Sequence, residues 1–170
     1  MTSLILVDEH DAPIGEMEKL EAHQKGLLHR AFSVFAFNEK GELLLQRRAP
    51  HKYHSAGLWT NTCCSHPVPG EDTETAAHRR LQEEMGFDCP LTRAGHLLYR
   101  VAFDNGLTEH EFDHIFIGRF DGEPVLNPDE TDASRWMSAE ALRADIAAHP
   151  DSYTYWFKLA FEEAFRKTAA

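Results

Sequence analysis

The sequence lacks the features that define several large protein classes. It has no apolar run near the roughly 20 residues that a membrane-spanning helix needs, so no membrane segment is predicted. Internal repeats, low-complexity tracts and Pro/Ser-rich linkers are also missing, which favours one domain over a chain of modules. Positive charge is scarce, since 17 Lys and Arg stand against 28 Asp and Glu and give a net charge of −11. Nucleic-acid-binding proteins carry a basic surface, so we expect no nucleic-acid partner.

Cysteine is sparse as well. Three cysteines are present and two of them, Cys63 and Cys64, are adjacent, which is a poor basis for a disulfide framework and suits a reducing cytoplasm. No basic segment followed by a long apolar one opens the chain, so no signal peptide is visible and a cytoplasmic location is expected. The length of 170 residues predicts a single domain over 1–170, with a core at about 28–160 and an N-terminal extension over 1–27. We expect a monomer, because no large apolar stripe is left over.

The alternation of apolar runs and turn-forming residues predicts the secondary structure. The apolar runs 32–37 and 43–46, joined by a turn at 38–41, predict a hairpin in a sheet that is covered on both faces. Further strands are expected at 4–7, 97–103 and 109–120, helices at 17–25, 73–85, 138–148 and 155–167, and a strand or loop at 57–65. Strands and helices alternate irregularly, which indicates an α/β (α+β) fold with a mixed β-sheet core and helices on both faces.

The most informative segment is 70–87. A glycine-led loop enters a helix that ends in the paired carboxylates Glu83 and Glu84, with Arg80 four residues before Glu84 on the same face. Taken alone, this is most simply a solvated helix with an internal ion pair. Its spacing nevertheless resembles the Nudix box, a loop and helix whose carboxylates hold a divalent metal on a diphosphate. The matching positions are Glu71, Arg79, Leu81, Glu83, Glu84 and Phe87.

Two positions depart from that box. Ser65 stands where the box opens with glycine, and Arg80 stands where the hydrolases carry the first glutamate of an Arg-Glu pair. The second change removes a carboxylate that binds metal and adds a cation. The resemblance therefore implies a Nudix-type fold with a damaged hydrolytic metal cluster.

Histidines and carboxylates outside this segment suggest a metal site. Glu109 and Glu111 are two residues apart on a predicted strand, so both side chains lie on one face, roughly 6.5–7 Å apart along the backbone. His23 and His29 flank the predicted transition from helix to strand, and His66 supplies a third imidazole. Any one of these histidines, taken alone, is more often a surface or core residue than a ligand.

Together these segments resemble the type I isopentenyl diphosphate isomerase family over about residues 7–156. The segment 59–67, which runs from tryptophan to proline beside the modified Nudix box, is the most specific part of the likeness. The motifs that carry it are 28–33 (LHRAFS), 46–49 (QRRA), 57–61 (GLWTN), 64–67 (CSHP), 79–86 (RRLQEEMG) and 109–111 (EHE).

The resemblance implies two metal sites and an anion clamp. One site is octahedral and suits Mn²⁺, Zn²⁺ or Fe²⁺ better than Mg²⁺, with the ligands His23, His29, His66, Glu109 and Glu111. A second site at Glu84, helped by the backbone carbonyl of Cys64, would hold Mg²⁺ shared with the substrate diphosphate. The residues implied to hold the diphosphate oxygens are Lys19, Arg48, Lys52 and Arg80; the bland alternative for Arg48 is a solvated strand end.

The implied reaction interconverts isopentenyl diphosphate and dimethylallyl diphosphate through a tertiary carbocation, as a step of isoprenoid biosynthesis. By the same resemblance, Glu111 delivers a proton in a relay with Tyr99, and Cys64 removes the allylic proton as a thiolate whose pKa nearby cations lower. Trp156 covers the cation with its indole face, although a plain core aromatic fits that position too. Cys63 is expected to turn away from the pocket by strand alternation and to serve in packing.

Two other functions compete with this interpretation. The first is a Nudix hydrolase of a nucleoside diphosphate derivative, which the arginine at position 80 disfavours. The second is a non-catalytic protein that binds metal or a prenyl diphosphate. We rank it lower, because every group that the isomerase reaction needs is present.

Overall fold

The computed structural model describes residues 2–52 and 55–169, and within these ranges the chain forms nine strands, four α-helices and one 3₁₀ turn. The strands are β1 (Ser3–Val7), β2 (Pro13–Glu18), β3 (His29–Phe37), β4 (Leu43–Arg48), β5 (Trp59–Thr60), β6 (Cys63–Ser65), β7 (Leu91–Ala102), β8 (Thr108–Arg119) and β9 (Thr131–Met137). The helices are α1 (Lys19–Lys25), α2 (Thr73–Met85), α3 (Ala139–Ala148) and α4 (Tyr155–Ala169), with the 3₁₀ turn at Pro150–Ser152.

Strand β3 is the centre of the sheet. It pairs in parallel with β8 over nine positions and antiparallel with β6 and β1, while β7 extends the sheet beyond β8. On the other side, β4 pairs antiparallel with β9 and β5. This mixed sheet with its helices confirms the predicted α+β class.

The two faces of the sheet are covered by different helices, as the apolar runs predicted. Phe35 and Phe37 of β3 belong to a core that includes Phe157 of α4, whereas Phe32 and Val34 belong to a second core against α2. Successive residues of a strand point to opposite faces, so a strand that is covered on both sides must be apolar throughout.

The hairpin between β3 and β4 is confirmed only at its turn. The pairing between these strands is confined to Phe37 and Leu43, after which β3 joins β6 and β8 while β4 joins β9 and β5. The two strands separate because the backbone of each forms hydrogen bonds with other strands beyond this point. This separation opens the sheet at the end where β6 is inserted.

Other differences from the sequence prediction have local causes. Helix α1 begins at Lys19, because 17–18 complete β2, which the sequence prediction treated as turn and helix. Strand β7 starts at Leu91, six residues earlier than predicted, and its register with β8 shifts between Arg93 and Gly95, where a bulge interrupts the pairing. Strand β9 was missed, since its segment TDASRWM shows no apolar alternation and its pairing with β4 comes from tertiary context.

Helix α2 was predicted with its correct bounds. The side chain of Asp72 caps its first turn by accepting from the amide of Thr75, and Gly86 ends it in the left-handed region at φ 72°. The side chains of Arg80 and Glu84 therefore project one turn apart from a helix that is fixed at both ends.

In the described part of the chain, no helix combines the length and apolarity that crossing a bilayer requires.

Candidate active site

Four of the five predicted ligands for the histidine-rich metal site lie together. His23 comes from α1, His29 from the first position of β3, His66 from the loop after β6, and Glu111 from β8. One potential ligand atom from each residue lies within 4.8 Å of the others. The parallel register of β3 and β8 places His29 directly beside Glu111, so the sheet itself brings these two groups together.

Backbone carbonyls orient two of the imidazoles. His23 Nδ1 lies 2.7 Å from the carbonyl oxygen of Lys19, and His29 Nδ1 lies 3.0 Å from that of Leu27. A carbonyl only accepts, so each Nδ1 carries the proton and each Nε2 presents a lone pair in the neutral ring. The Nε2 atoms face the carboxylates, at 3.9 Å between His23 and Glu109 and 3.4 Å between His29 and Glu111.

The protonation of the cluster suits a divalent cation. Burial lowers the pKa of His23, and burial lowers the pKa of His66 to about 3, so both rings are neutral at physiological pH. The pKa of His29 is raised, because its hydrogen bond and charge interaction with Glu111 outweigh the opposing effect of burial. The neutral imidazoles of His23 and His66 and the carboxylate of Glu111 are a donor set for a transition metal. The residues present therefore fit such an ion.

Glu109 and Tyr99 complete the wall beside this cluster. Glu109 lies outside the group of four, although its carboxylate is buried next to His23. The hydroxyl of Tyr99 contacts the carboxylate of Glu109 and lies 2.7 Å from Glu111 Oε1. Burial and these two carboxylates raise the pKa of Tyr99, so the phenol keeps its proton. The hydrogen bonds from His29 and His66 lower the pKa of Glu111 although burial opposes them.

A pocket of about 250 Å³ opens next to the cluster and gathers most of the predicted residues. His23, His29 and Tyr99 lie outside its lining, behind Glu109 and Glu111. The predicted residues that line the pocket are Lys19, Arg48, Lys52, Cys64, His66, Arg80, Glu84, Glu109, Glu111 and Trp156. The pocket wall thus includes the four cations that were predicted to bind diphosphate, together with a thiol, an indole and several carboxylates.

The four cations are close enough to influence one another. The pKa of Lys19 is lowered, mainly by burial and then by the charges of Lys52 and Arg48. Lys52 Nζ lies 2.7 Å from Glu130 Oε2, and Arg80 Nη2 lies 3.1 Å from Glu130 Oε1. A converging set of cations at a pocket is an anion-binding arrangement.

Glu84 is held in place from two sides. Its Oε2 accepts from Arg80 Nη2 at 2.7 Å, and its Oε1 accepts from Gln46 Nε2 at 2.9 Å. The same Gln46 nitrogen donates to the carbonyl of Thr62 at 2.9 Å. Arg80 therefore sits beside the carboxylate that the Nudix box would use for metal, where the hydrolases carry a further glutamate.

The two adjacent cysteines face different environments. Cys63 is fully buried in the α2 core, which confirms that it turns away from the pocket, while Cys64 lines the pocket. The expected lowering of the Cys64 pKa is wrong for this structure. Burial raises the pKa of the thiol, and the opposing charge of Arg48 is too weak to reverse that effect.

Trp156 is buried in the α4 core and also reaches the pocket. Its Nε1 donates to Asn61 Oδ1 at 3.2 Å, and the guanidinium carbon of Arg48 lies 5.4 Å from the centre of the indole. Trp156 is therefore a core aromatic that also lines the pocket.

Sequence reasoning missed two groups at this site, Glu130 and Gln46. Glu130 lies in a polar turn before the unpredicted strand β9, where a carboxylate is ordinary, so nothing in the local pattern marked it. Gln46 lies in the QRRA motif, but only its two buried hydrogen bonds reveal a role.

Comparison with known proteins gives consistent matches. A family model for the NUDIX domain matches residues 27–157. The isopentenyl-diphosphate Delta-isomerase 2 of Photorhabdus laumondii subsp. laumondii is 59% identical over 155 residues, which are 91% of this chain and 88% of that protein. The isopentenyl-diphosphate Delta-isomerase of Pectobacterium atrosepticum is 53% identical over 161 residues, which are 95% of this chain and 90% of that protein.

Solved structures agree on the fold. A protein from Deinococcus radiodurans superposes with a TM-score of 0.77 at 23% identity, covering 94% of this chain and 98% of that one. A MutT protein from Methanosarcina mazei gives a TM-score of 0.68 at 21% identity, covering 84% of this chain and 96% of that one. Identities this low carry information about the fold alone.

Proposed function

Because the chain belongs to the Nudix domain family and, within it, to the isopentenyl-diphosphate Delta-isomerases, we propose that its pocket moves protons on an alkene whose diphosphate the cations hold. The protein is an enzyme that interconverts isopentenyl diphosphate and dimethylallyl diphosphate, and its substrate is a small molecule. The roles of individual residues are the proposal. The observation that carries it is the single pocket in which cations, Cys64, Glu111 and Trp156 meet.

The reaction needs one proton to arrive and another to leave. A proton goes to the terminal alkene carbon, positive charge forms on the neighbouring tertiary carbon, and the allylic carbon then loses a proton, so the atoms balance. In this direction Glu111 passes on a proton in a relay with Tyr99, whose phenol keeps its proton and donates to the ionised Glu111 carboxylate, and Cys64 is the base. These groups come from β8 and β6, on opposite sides of β3, so the alkene can lie between them. Burial raises the pKa of Cys64, so the proposal requires the thiol to lose its proton before it acts as the base, and the nearby charge of Arg48 favours that loss.

Stabilising the carbocation is the harder problem. General acid–base catalysis contributes about 10²–10⁴-fold, which is too little for an unactivated alkene. The indole of Trp156 attracts a desolvated cation by about 2 kcal/mol. The apolar side chains around α4 exclude water, which would otherwise trap the cation as an alcohol.

Lys19, Arg48, Lys52 and Arg80 hold the diphosphate in this proposal. Two metal sites accompany them: His23, His29, His66, Glu109 and Glu111 hold Mn²⁺, Zn²⁺ or Fe²⁺, and Glu84 with the Cys64 carbonyl holds Mg²⁺. When bound, the first ion supplies charge that fixes the Glu111 carboxylate, and Mg²⁺ neutralises diphosphate oxygens. The competing hydrolase function is less supported, because Arg80 replaces the glutamate and is paired with Glu84.

The site also supports a single functional domain over 1–170. Lys19 and His23 lie in the extension 1–27, whereas every other proposed site residue lies in the core, so neither part is complete alone. We further propose a monomer, with neither nucleic acid nor membrane as a partner.

Cysteine variants test the proposal directly. The purified protein is incubated with isopentenyl diphosphate and Mg²⁺, and the acid-labile allylic product is followed. Cys64→Ala should lower kcat by about 10²–10⁴-fold, while the matched control Cys63→Ala keeps its rate within a few fold. Normal turnover by Cys64→Ala would remove the thiol from the mechanism.

A second experiment addresses the metal. Elemental analysis of the wild type identifies the ion, and His29→Gln should lose it while retaining the fold by circular dichroism. Unchanged metal content in His29→Gln would show that the ion binds elsewhere. Release of phosphate from nucleoside diphosphate derivatives by the wild type would instead favour the hydrolase.

A further inference from the structure

The side chain of Asn61 connects the segment that carries Cys64 to Trp156. It lies between β5 and β6, and it is fully buried. Its Nδ2 donates to the carbonyls of Val34 at 3.1 Å and Cys63 at 2.8 Å. Its Oδ1 accepts from Thr60 Oγ1 at 2.9 Å and Trp156 Nε1 at 3.2 Å.

These four contacts use the whole hydrogen-bonding capacity of an amide, which has two donor hydrogens and two acceptor lone pairs. The orientation is unambiguous, because the indole only donates and the two carbonyls only accept. Other side chains do not reproduce this set. Aspartate would face two carbonyls with a carboxylate, and leucine would remove all four hydrogen bonds from a buried site.

The contacts join parts of the chain that are distant in sequence. The carbonyl of Cys63 belongs to the residue just before Cys64, and Trp156 lies in the first turn of α4. A second connection runs parallel to the first, since Thr154 Oγ1 lies 2.9 Å from Thr60 Oγ1. The start of α4 is thus fastened to the segment that carries the thiol.

We propose that Asn61 is a positioning residue for the isomerase reaction, which fixes the indole of Trp156 relative to the thiol of Cys64 so that cationic charge forms against the indole face. The inference rests on the proposed function, because it needs Trp156 and Cys64 to act on the same alkene. Attraction between a cation and an indole depends on the cation lying over the ring, and for a desolvated cation it corresponds to about 30-fold in rate. An indole that turns or shifts loses part of that factor.

A purely structural role would give a different result. A buried amide that merely supports the β5–β6 segment would change stability when removed, and it would weaken all ligands of the pocket alike. A positioning role would change the preference for a cationic ligand over a neutral one. Two probes separate these cases: an alkyl diphosphate with a tertiary ammonium at the branched carbon, and its uncharged hydrocarbon counterpart.

The test compares Asn61→Ser with the wild type, using Asn61→Thr should the serine variant fail to fold. The ratio of the dissociation constants for the neutral and ammonium probes should fall about tenfold, and kcat should fall by a similar factor, while the KM for isopentenyl diphosphate stays within about threefold. The matched control is Thr62→Val. Thr62 is also fully buried and hydrogen-bonded, to Leu44 and Ala36, and we expect this variant to keep the wild-type ratio.

An unchanged ratio, which includes an equal loss of affinity for both probes, would overturn the role of Asn61 and leave the proposed function intact. Failure of the proposed function has a separate signature in the wild type, which would then show no isomerisation and no preference for the ammonium probe. A double variant with Trp156→Phe adds a further check. In the Trp156→Phe background, Asn61→Ser should reduce kcat and the probe ratio little further, because phenylalanine cannot donate a hydrogen bond to Asn61. A further loss as large as that in the wild type would also overturn the inference.

Discussion

Arg80 Nη2 lies 2.7 Å from Glu84 Oε2, one helical turn along α2. In a Nudix hydrolase box, the first of these positions would carry another carboxylate for metal. Here it carries a cation that contacts Glu84 and also Glu130 at 3.1 Å. One substitution thus changes this face of the helix from a metal cluster into a mixed site that suits a metal-bound diphosphate. This relationship leads to the first two predictions.

Replacing Arg80 by glutamine should raise the KM for isopentenyl diphosphate by about 10- to 150-fold. A hydrogen bond to a charged group contributes about 1.5–3 kcal/mol, and glutamine cannot supply the charge. Steady-state kinetics measure the effect. The matched control is Arg47→Gln, which removes an arginine of the neighbouring strand that pairs with Asp132 outside the pocket. Equal changes in KM for both variants would contradict a specific role for Arg80.

Replacing Glu130 by glutamine should strengthen binding of inorganic diphosphate by a few fold. The carboxylate of Glu130 binds both Lys52 and Arg80, so an incoming anion competes with it for the same cations. Hydrogen bonding and charge interaction with Lys52 lower the pKa of Glu130 against the effect of burial, so the carboxylate is ionised at neutral pH. Calorimetric titration with inorganic diphosphate measures the change.

Asp132→Asn serves as the control for this second prediction, because it removes a nearby negative charge that contacts Arg47 instead. We expect the affinity of this variant to match the wild type. Weaker binding by Glu130→Gln would mean that the carboxylate holds the two cations in the geometry that the anion requires.

The extent to which the sequence predicts this site depends on the kind of residue. His29 and Glu111 could be predicted, because both lie in motifs that carry the family resemblance, and the two-residue spacing from Glu109 to Glu111 places both carboxylates on one face of a predicted strand. Glu130 could not, since it reaches the pocket through a turn that is positioned by the unpredicted strand β9. The pKa of Cys64 was predicted in the wrong direction for a related reason. The sequence shows the cations near the thiol but not the depth at which the thiol is buried.

A histidine away from the pocket gives a pH prediction. His114 is buried on the opposite face of β8, and its Nε2 lies 2.9 Å from Asp11 Oδ2. Burial is the main cause that lowers its pKa. The charges of Arg93 and Arg30 act in the same direction, and Asp11 opposes them. The neutral ring is therefore favoured in the folded state.

The direction of the pH dependence of stability follows from the difference in proton binding at His114 between the folded and unfolded states. Below a pH of about 6.5 the unfolded chain binds a proton at His114 that the folded protein binds less well, so this contribution to stability is present above that pH. It is lost as the pH falls toward the lowered folded pKa. Between about pH 8 and about pH 5, the free energy of unfolding should fall more in the wild type than in His114→Asn. Urea denaturation at both pH values measures the free energy of unfolding. The same change in this free energy for the wild type and for His114→Asn would show that the pKa of His114 does not differ between the folded and unfolded states.

The last prediction concerns the C-terminal end of α2, which supports Glu84. Gly86 has a φ of 72°, and a Cβ added there would lie 2.4 Å from the carbonyl oxygen of Val125. The segment around Val125 is bonded to this end of the helix, since its amide donates to the carbonyl of Met85 at 2.8 Å and that of Asn127 donates to Glu84 at 3.0 Å. Alanine at position 86 must therefore strain its own backbone and displace this segment.

Gly41 is a matched control for Gly86, because its φ is 77° and an added Cβ would meet no described heavy atom within 4 Å outside its chain neighbours. Gly41→Ala should lower the free energy of unfolding by about 1–2 kcal/mol, the cost of the left-handed conformation. Gly86→Ala carries that cost together with the clash, which adds about 1–3 kcal/mol. Urea denaturation should therefore give a clearly larger loss of unfolding free energy for Gly86→Ala than for Gly41→Ala. Steady-state kinetics should give a higher KM for Mg²⁺ in Gly86→Ala, because Glu84 shifts. Equal losses of stability would mean that the segment at Val125 moves away at no cost, and the close packing at Gly86 would then have no role in holding Glu84.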